Sequence, residues 1–256
     1  MQALIGKSCA ACLAALFYIA AHAGLVEVVS AAKPSVVAIG TYSATQNPRF
    51  AFRGTGFAVG NGNLIVTNAH VLPEIEASAD PGKTRLVIQI PRGKDAQEIR
   101  TATRVSIDRD HDVALLRFEG AALPALELAA AGSVHDGLSI AFIGFPIGGL
   151  LGFTPVTHHG IVSAVTAVAK PAPAARQLDN KPIMRLREGS FDIYQLDATA
   201  YPGNSGGPVL DVDSGKVIGI INMVLIKGTK ESALSQPTGI SYAVPVEFAR
   251  KLIEAQ

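Results

Sequence analysis

The sequence predicts an all-β fold, either a barrel or a sandwich, from three observations. Short apolar segments recur along the 256 residues, and residues typical of turns separate them. These segments do not alternate with helical patterns of about 10 to 15 residues, which would indicate βαβ units and a parallel sheet. The chain is 48% hydrophobic and 17% charged, which excludes a disordered chain and is typical of one that buries a core.

The predicted strands are short and rich in β-branched or aromatic residues. In chain order they are Val36–Ile39, Gly56–Val59, Leu64–Thr67, Leu86–Ile90, Val113–Phe118, Ile140–Ile143, Val156–Val165, Phe191–Leu196, Pro208–Leu210, Val217–Val224 and Ile240–Val244. Turn signals such as Gly60–Asn63 and Asp213–Gly215 lie between them.

Two segments depart from the strand pattern. Pro245–Ala255 predicts a closing helix, because proline suits a first turn and the apolar residues that follow fall on one face. Lys170–Ser190 contains three prolines and several basic residues, and predicts a long connecting loop. A loop of this length is either a passive surface insertion or a functional element.

The first 23 residues have the layout of a secretory signal peptide. Lys7 precedes an apolar run, Ala10–Ala21, which is too short for a comfortable membrane span, and Ala21–Ala23 offers a small-x-small cleavage site. The alternative is a buried N-terminal helix. Such a signal peptide would direct export to a periplasm or the exterior. Its cleavage after Ala23 would leave a mature chain without a stable membrane span. It would also remove Cys9 and Cys12, so the mature chain would contain no disulfide.

The charge balance argues against one class of function. With 22 Lys and Arg against 21 Asp and Glu, the net charge is +1, whereas a dedicated nucleic-acid binder shows a basic excess.

Glycines surround a serine in the segment Gly203–Pro208, which reads GNSGGP. They allow a sharp turn that exposes the Ser205 hydroxyl and directs backbone N–H groups at an incoming carbonyl oxygen. The segment is compatible with an ordinary turn, and also with the nucleophile elbow of α/β-hydrolases.

The order of residues along the chain discriminates among the serine-hydrolase arrangements. An α/β-hydrolase requires a histidine after the serine, and none of the six histidines follows Ser205. The subtilisin order requires an aspartate before the histidine, and none precedes His70. The order His-Asp-Ser remains, and His70, Asp112 and Ser205 satisfy it.

Each of the first two candidates adjoins an apolar strand: His70 follows one and Asp112 precedes one. An aspartate at the start of an apolar strand can be partly buried, which it must be to hold the imidazolium in one tautomer. Asp108 and Asp110 are alternative partners for the histidine but lie further from the strand. The separations place His70 and Asp112 in the first half of the chain and Ser205 in the second, so we expect the site between two halves.

At these motifs the sequence resembles the chymotrypsin-fold serine proteases, and within them the HtrA/Deg type. The matching segments are Thr67–Val71, Asp112–Leu116 and Gly203–Pro208, with lesser matches at Gly54–Phe57, Gly160–Ala164, Ile218–Ile220 and Gly239–Pro245. Together they span about residues 34 to 255.

The resemblance implies two six-stranded antiparallel β-barrels and a C-terminal helix. We expect an N-terminal barrel over residues 24–126, which carries His70 and Asp112. A C-terminal barrel over 127–256 would carry Ser205 and the closing helix. Proteins of this type continue into PDZ domains, for which this sequence leaves no room, so PDZ-based substrate capture is not expected and the oligomeric state is open.

The implied chemistry is peptide-bond hydrolysis through an acyl-enzyme, without a metal or organic cofactor. Ser205 would attack, His70 would act as base and then acid, and Asp112 would orient His70. The loop Gly203–Asn204–Ser205 would form the oxyanion hole through the N–H groups of Gly203 and Ser205. Protein or peptide substrates, unfolded ones in particular, are the expected partners.

The resemblance also implies a primary specificity. Trypsin-like enzymes that select basic residues carry a carboxylate six residues before the nucleophile, and here that position is Thr199. The predicted substrate-binding residues are Thr199, Ala200, Asn222, Met223, Val224 and Ala243, which favour cleavage after small or medium aliphatic residues.

The remaining histidines receive structural interpretations. His158 and His159 are adjacent on a predicted strand and would point to opposite faces, which suits neither zinc nor a shared site. His111 and His135 lie in polar segments and are predicted to be solvated. Two further functions stay open: a latent or chaperone-like binding module with the same triad, and an esterase.

Overall fold

The computed structural model of the chain describes residues 24–74, 84–93, 96–148, 152–169, 190–223 and 239–256. The predicted signal peptide, with both cysteines, lies outside the described residues. So does the predicted connecting loop, apart from its last residue, which opens a strand.

Twelve strands and two α-helices make up the described part of the chain. They are α1 (Leu25–Ala32), β1 (Val36–Tyr42), β2 (Phe50–Val59), β3 (Leu64–Thr67), β4 (Arg85–Pro91), β5 (Gln97–Asp108), β6 (Val113–Phe118), β7 (Ser139–Gly144), β8 (Val156–Ala169), β9 (Ser190–Asp197), β10 (Pro208–Asp211), β11 (Val217–Asn222), β12 (Ile240–Pro245) and α2 (Glu247–Glu254). Two 3-10 turns, Lys33–Ser35 and Ala69–Val71, complete the set.

The strands close into two antiparallel barrels. The first has the order β1-β2-β3-β6-β5-β4, and the second has the order β10-β11-β12-β9-β8-β7. This architecture confirms the predicted all-β fold of two six-stranded barrels with a C-terminal helix. The predicted boundary between residues 126 and 127 falls on the segment that joins β6 to β7, and it stays a prediction.

Three apolar clusters hold the barrels together. One fills the first barrel and includes Ile39, Ile65 and Leu116, and a second fills the other barrel around Phe142 and Leu196. The third takes residues from both barrels and both helices, namely Val28, Phe57, Leu115, Phe145, Ile220 and Phe248 among others. Burial of this shared cluster fixes one barrel against the other, because separating them would expose its apolar surface to water.

Two elements, β5 and α1, were not predicted from the sequence. β5 has twelve residues, of which Ala102 alone is buried, so its pattern lacks the apolar alternation that marks a strand. It is a strand because it pairs on both sides, with β4 and β6. α1 buries only Val28 and Ala32, a weak signal in eight residues.

Some boundaries also differ from the predictions. β2 begins at Phe50 rather than Gly56, because its first half pairs with β1. α2 begins at Glu247, since Pro245 is still paired with Gly219 in the sheet. Neither described helix has the length and apolar character that a membrane span requires.

Candidate active site

The segment after β3 places His70 at the mouth of the first barrel. The strand stops at Thr67, and a 3-10 turn over Ala69–Val71 follows. Asn68, fully buried, donates its side-chain N–H to the backbone oxygen of Asp112 at 2.9 Å. The Ala69 N–H donates to the same oxygen at 3.2 Å. Two hydrogen bonds therefore fix the turn that carries His70 against the segment that carries Asp112.

The carboxylate of Asp112 contacts His70 twice. Its Oδ1 accepts the backbone N–H of His70 at 2.8 Å, and its Oδ2 lies 2.6 Å from His70 Nδ1. A carboxylate only accepts, so Nδ1 carries the proton and Nε2 is left able to take one. The backbone of Asp112 has φ of +55°, a conformation that aspartate tolerates better than most residues.

Asp108, one of the alternative partners for His70, is engaged elsewhere. Its carboxylate accepts the backbone N–H of His111 at 3.1 Å and lies 2.6 Å from His111 Nδ1. The ring of His111 stacks on Phe248 at 3.8 Å between centroids. His111 is thus part of the contact between a barrel turn and α2, and the prediction that it is solvated is wrong, because its side chain is only 18% exposed.

Asn222, predicted to line the substrate pocket, lies at the end of β11 and is 1% exposed. Its side-chain N–H donates to Asp112 Oδ2 at 2.7 Å. This bond crosses from the second barrel to the first. It gives Oδ2, the carboxylate oxygen that faces His70 Nδ1, a second donor, a role that was not predicted from the sequence.

The loop before Ser205 is a tight turn. Asn204 N–H donates to the Tyr201 oxygen at 3.0 Å, and Gly203 between them has φ of +104°, which is the pattern of a type II turn. A Cβ on Gly203 would collide with the backbone oxygen of Phe145. Only glycine therefore fits this position without displacing its neighbours.

The first barrel supports this loop through Thr55. Its hydroxyl donates to the Gly203 oxygen at 2.7 Å and accepts the Phe145 N–H at 3.1 Å. Its backbone N–H donates to the Ser205 oxygen at 2.8 Å. Two of these hydrogen bonds tie the loop to the first barrel, and the third ties the same threonine to Phe145, just after β7.

Two N–H groups of the loop have no acceptor within the described residues, namely those of Gly203 and Ser205. These are the two donors predicted for an oxyanion hole. Donors that are held in place before the reaction stabilise negative charge strongly, because they need not reorganise.

Ser205 is 5% exposed, and its Oγ accepts the backbone N–H of Met223 at 3.3 Å. The hydrogen bonds of the described residues do not include one between Ser205 and His70. Such bonds are often long without substrate and shorten in the reactive complex.

His158, to which no role was assigned from the sequence, lies next to the loop. Its ring stacks on Phe142 at 4.6 Å between centroids, and its Nε2 lies 3.3 Å from the side-chain nitrogen of Asn204. Burial lowers the pKa of His158, so the neutral ring is favoured.

The other predicted substrate-binding residues lie around the loop with different exposures. Thr199 is half-buried, whereas Ala200 is buried and its N–H donates to the Ser241 hydroxyl at 2.9 Å. Ala243 is fully buried in β12. Val224 lies outside the described residues. Among the described residues there is no group of three or more His, Cys, Asp or Glu side chains placed to hold a metal ion.

Comparison with known families gives a match over most of the chain. The model of the trypsin-like peptidase domain matches residues 54–220. Human serine protease HTRA3 is 32% identical over 239 residues, which is 91% of this chain and 45% of that protein. A probable periplasmic serine endoprotease, DegP-like, from Pseudomonas fluorescens is 31% identical over 77% of this chain and 33% of its own length. The chain thus spans less than half of these relatives.

Solved structures give the same architecture. The serine endoprotease from Yersinia pestis covers 91% of this chain with a TM-score of 0.61 and 22% identity, and the match takes in 66% of that structure. The HtrA-type protease AlgW with a tripeptide also has a TM-score of 0.61, at 23% identity, over 91% of this chain and 63% of its own. At these identities the likeness concerns the fold.

Proposed function

The chain belongs to the trypsin-like peptidase family, with HtrA-type serine proteases among its relatives, and on that premise we propose that it is a serine endopeptidase. The observation that carries the proposal is the double contact between His70 and Asp112. Within it, Nδ1 and Oδ2 are 2.6 Å apart. A histidine held in one tautomer by a carboxylate, together with a serine in a glycine-rich loop, is the residue set of a nucleophilic hydrolase.

In the proposed mechanism Ser205 Oγ attacks the scissile carbonyl carbon. His70 Nε2 takes the hydroxyl proton and later gives it to the leaving amine, after which water hydrolyses the acyl-enzyme by the same route. Asp112 stabilises the imidazolium through the short Nδ1 contact. The N–H groups of Gly203 and Ser205 receive the oxyanion, for which their lack of an internal acceptor within the described residues is the support.

For primary specificity we propose cleavage after small or medium aliphatic residues. Thr199, where a carboxylate would select basic residues, is uncharged, and its neighbours Ala198 and Ala200 are buried apolar residues. A site without charge gains little from a charged side chain, which would lose its hydration there.

We propose further that the substrates are proteins or peptides, unfolded ones in particular, and that the enzyme is exported. The support for export is the layout of residues 1–23 and the name of the Pseudomonas fluorescens relative, which describes that protein as periplasmic.

The proposal is tested by comparing the protein with its Ser205→Ala variant. Both are treated with a fluorophosphonate probe and with an unfolded protein substrate. We expect labelling and cleavage by the parent, and a loss of about 10⁴ to 10⁶ in turnover on substitution. Equal cleavage by the two proteins would refute the triad. Labelling of Ser205 without cleavage of any peptide would point to an esterase.

A further inference from the structure

A cavity of about 240 Å³ lies beside His70 and is lined in part by Arg104 and Ile107 of β5. His70 forms part of its wall, so a group bound there lies close to the proposed general base. Three arginines and one acid also line it, namely Arg53, Arg104, Arg109 and Glu74. The proposed mechanism uses none of these four.

The cavity concentrates positive charge in a chain whose net charge is only +1. No carboxylate in the described part of the chain lies within salt-bridge distance of Arg104 or Arg109, both of which are exposed. By contrast, Arg92 and Arg100 on the same barrel both pair with Glu98, at 2.8 and 2.6 Å.

Arg53 lines the cavity and is held there by two hydrogen bonds. Its Nε donates to the backbone oxygen of Val71 at 2.6 Å, and its Nη2 donates to that of Leu72 at 3.4 Å. These bonds hold one guanidinium at a defined place, while the two others can adjust to a ligand. The lining thus contains three guanidinium groups and the carboxylate of Glu74, which leaves an excess of positive charge.

We propose that this cavity is a substrate subsite for the carboxylate of an aspartate or glutamate close to the scissile bond. This inference rests on the proposed peptidase function, because it takes His70 as the point past which the peptide runs. Guanidinium forks match carboxylates in shape and form charge-assisted hydrogen bonds with them. The subsite thus adds an acidic residue, at a separate position, to the aliphatic preference of the primary site.

The test uses quenched peptides with one aliphatic residue before the cleaved bond. Aspartate and asparagine are compared in turn at each of the flanking positions. Charge-assisted hydrogen bonds are stronger than neutral ones, so we expect kcat/KM to rise about tenfold for aspartate at one position. The gain should shrink as salt is added, because the arginines are exposed.

Variants assign the effect to the cavity. In the double variant Arg104→Gln/Arg109→Gln, the kcat/KM values for the aspartate and asparagine peptides should differ by no more than about twofold. A site without net charge should discriminate no further between the two peptides. Arg104→Glu also brings the net charge of these lining groups to zero and should likewise abolish the preference for aspartate, whereas Glu74→Gln should strengthen it. Arg117→Gln is the matched control, since Arg117 is an exposed arginine on β6 outside the cavity. A preference that survives the double variant, or that is absent at every position, overturns the inference.

The fluorophosphonate reaction separates this inference from the proposed function. Normal labelling without an acidic preference contradicts the subsite alone, whereas failure to label Ser205 contradicts the peptidase. In that second case, fluorescence anisotropy of the same labelled peptides on Ser205→Ala decides the question of the cavity. Tighter binding of the aspartate peptide, abolished in the double arginine variant, supports the subsite, and equal binding of the two peptides overturns it.

Discussion

His158 shows how a single side chain couples the proposed oxyanion loop to the interior of the second barrel. It lies between Phe142, which belongs to the barrel core, and Asn204, which is the residue before the nucleophile. The ring of Tyr201 also lies near the His158 ring, at 6.1 Å between centroids, so the surroundings of His158 are largely aromatic. A positive charge would be poorly accommodated in such surroundings.

We predict that His158 makes the fold less stable in acid. Burial lowers its pKa in the folded protein, so between about pH 6.5 and that lower value the unfolded chain binds more protons. The free energy of unfolding should therefore fall as the pH drops below about 6.5. His158→Phe keeps the stacking and cannot take up a proton, so its stability should fall less over the same range in urea titrations at pH 7 and pH 5.

The exposed His135 supplies the control for this experiment. His135→Gln should leave the pH dependence of the unfolding free energy as in the parent. A parallel decline of the parent and His158→Phe would contradict the prediction.

At this scale the sequence identified some of the site and not the rest. His70 and Asp112 adjoin apolar strands and occur in the order of a known triad, so their proximity could be predicted. The contacts of Asn222 with Asp112 and of His158 with Asn204 join residues 110 and 46 positions apart. These contacts depend on the register of the strands and on how the two barrels pack together. Neither can be predicted from the pattern of residue types along the chain.

Among the elements, α2 is held by an aromatic contact that spans the barrels. Phe248 stacks on His111 of the first barrel and meets Phe191 of the second edge-on, at 5.6 Å between centroids. The Arg250 side chain, two residues further along the helix, donates to the backbone oxygen of Leu128 at 3.2 Å. The helix therefore closes over the junction of the two barrels.

We predict that Phe248→Ala lowers the free energy of unfolding by about 3 to 5 kcal/mol, as removal of a buried aromatic ring typically does. Phe248 is 6% exposed, so the change leaves a cavity in the shared cluster. Glu254→Ala in the same helix is the control, because Glu254 is exposed and should change stability by less than about 0.5 kcal/mol. Guanidinium denaturation gives both values, and a loss below about 1 kcal/mol for Phe248→Ala would disprove the role assigned to the ring.

The strands divide by what makes them predictable. β3 and β6 are mostly apolar runs between turn signals, and both were predicted with the bounds they have. β5 could not be predicted, because its residues face mostly outward and its extended conformation is imposed by its two neighbours. Tertiary pairing decided its structure where local pattern did not.

On the scale of the whole molecule, the candidate site belongs to neither barrel alone. His70 and Asp112 come from the first barrel, and Ser205 and Asn222 from the second. The order of motifs along the chain predicted this division. The hydrogen bond from Asn222 to Asp112 is one of the links that make the two halves a single site.

We predict that Asn222→Leu lowers kcat/KM by about 10- to 100-fold, mainly through kcat. The basis is that hydrogen bonds to charged groups contribute about 1.5 to 3 kcal/mol. Loss of the donor leaves Asp112 less firmly oriented and the imidazolium less well stabilised. Steady-state kinetics and the rate of fluorophosphonate labelling measure the effect. Asn222→Ser, which keeps a shorter donor, should recover part of the activity, and an unchanged kcat/KM in Asn222→Leu would exclude this positioning role.

The order of the two barrels along the chain bears on how the protein is made. The first barrel is complete at Phe118, whereas Ser205 lies 87 residues further on. Domains generally fold as units during synthesis, the earlier one first. A growing chain therefore acquires its proposed base and orienting acid well before it has a nucleophile. On the proposed function, such a chain has no means of hydrolysing its own unfolded remainder, and proteolytic competence arises only when the second barrel has docked on the first.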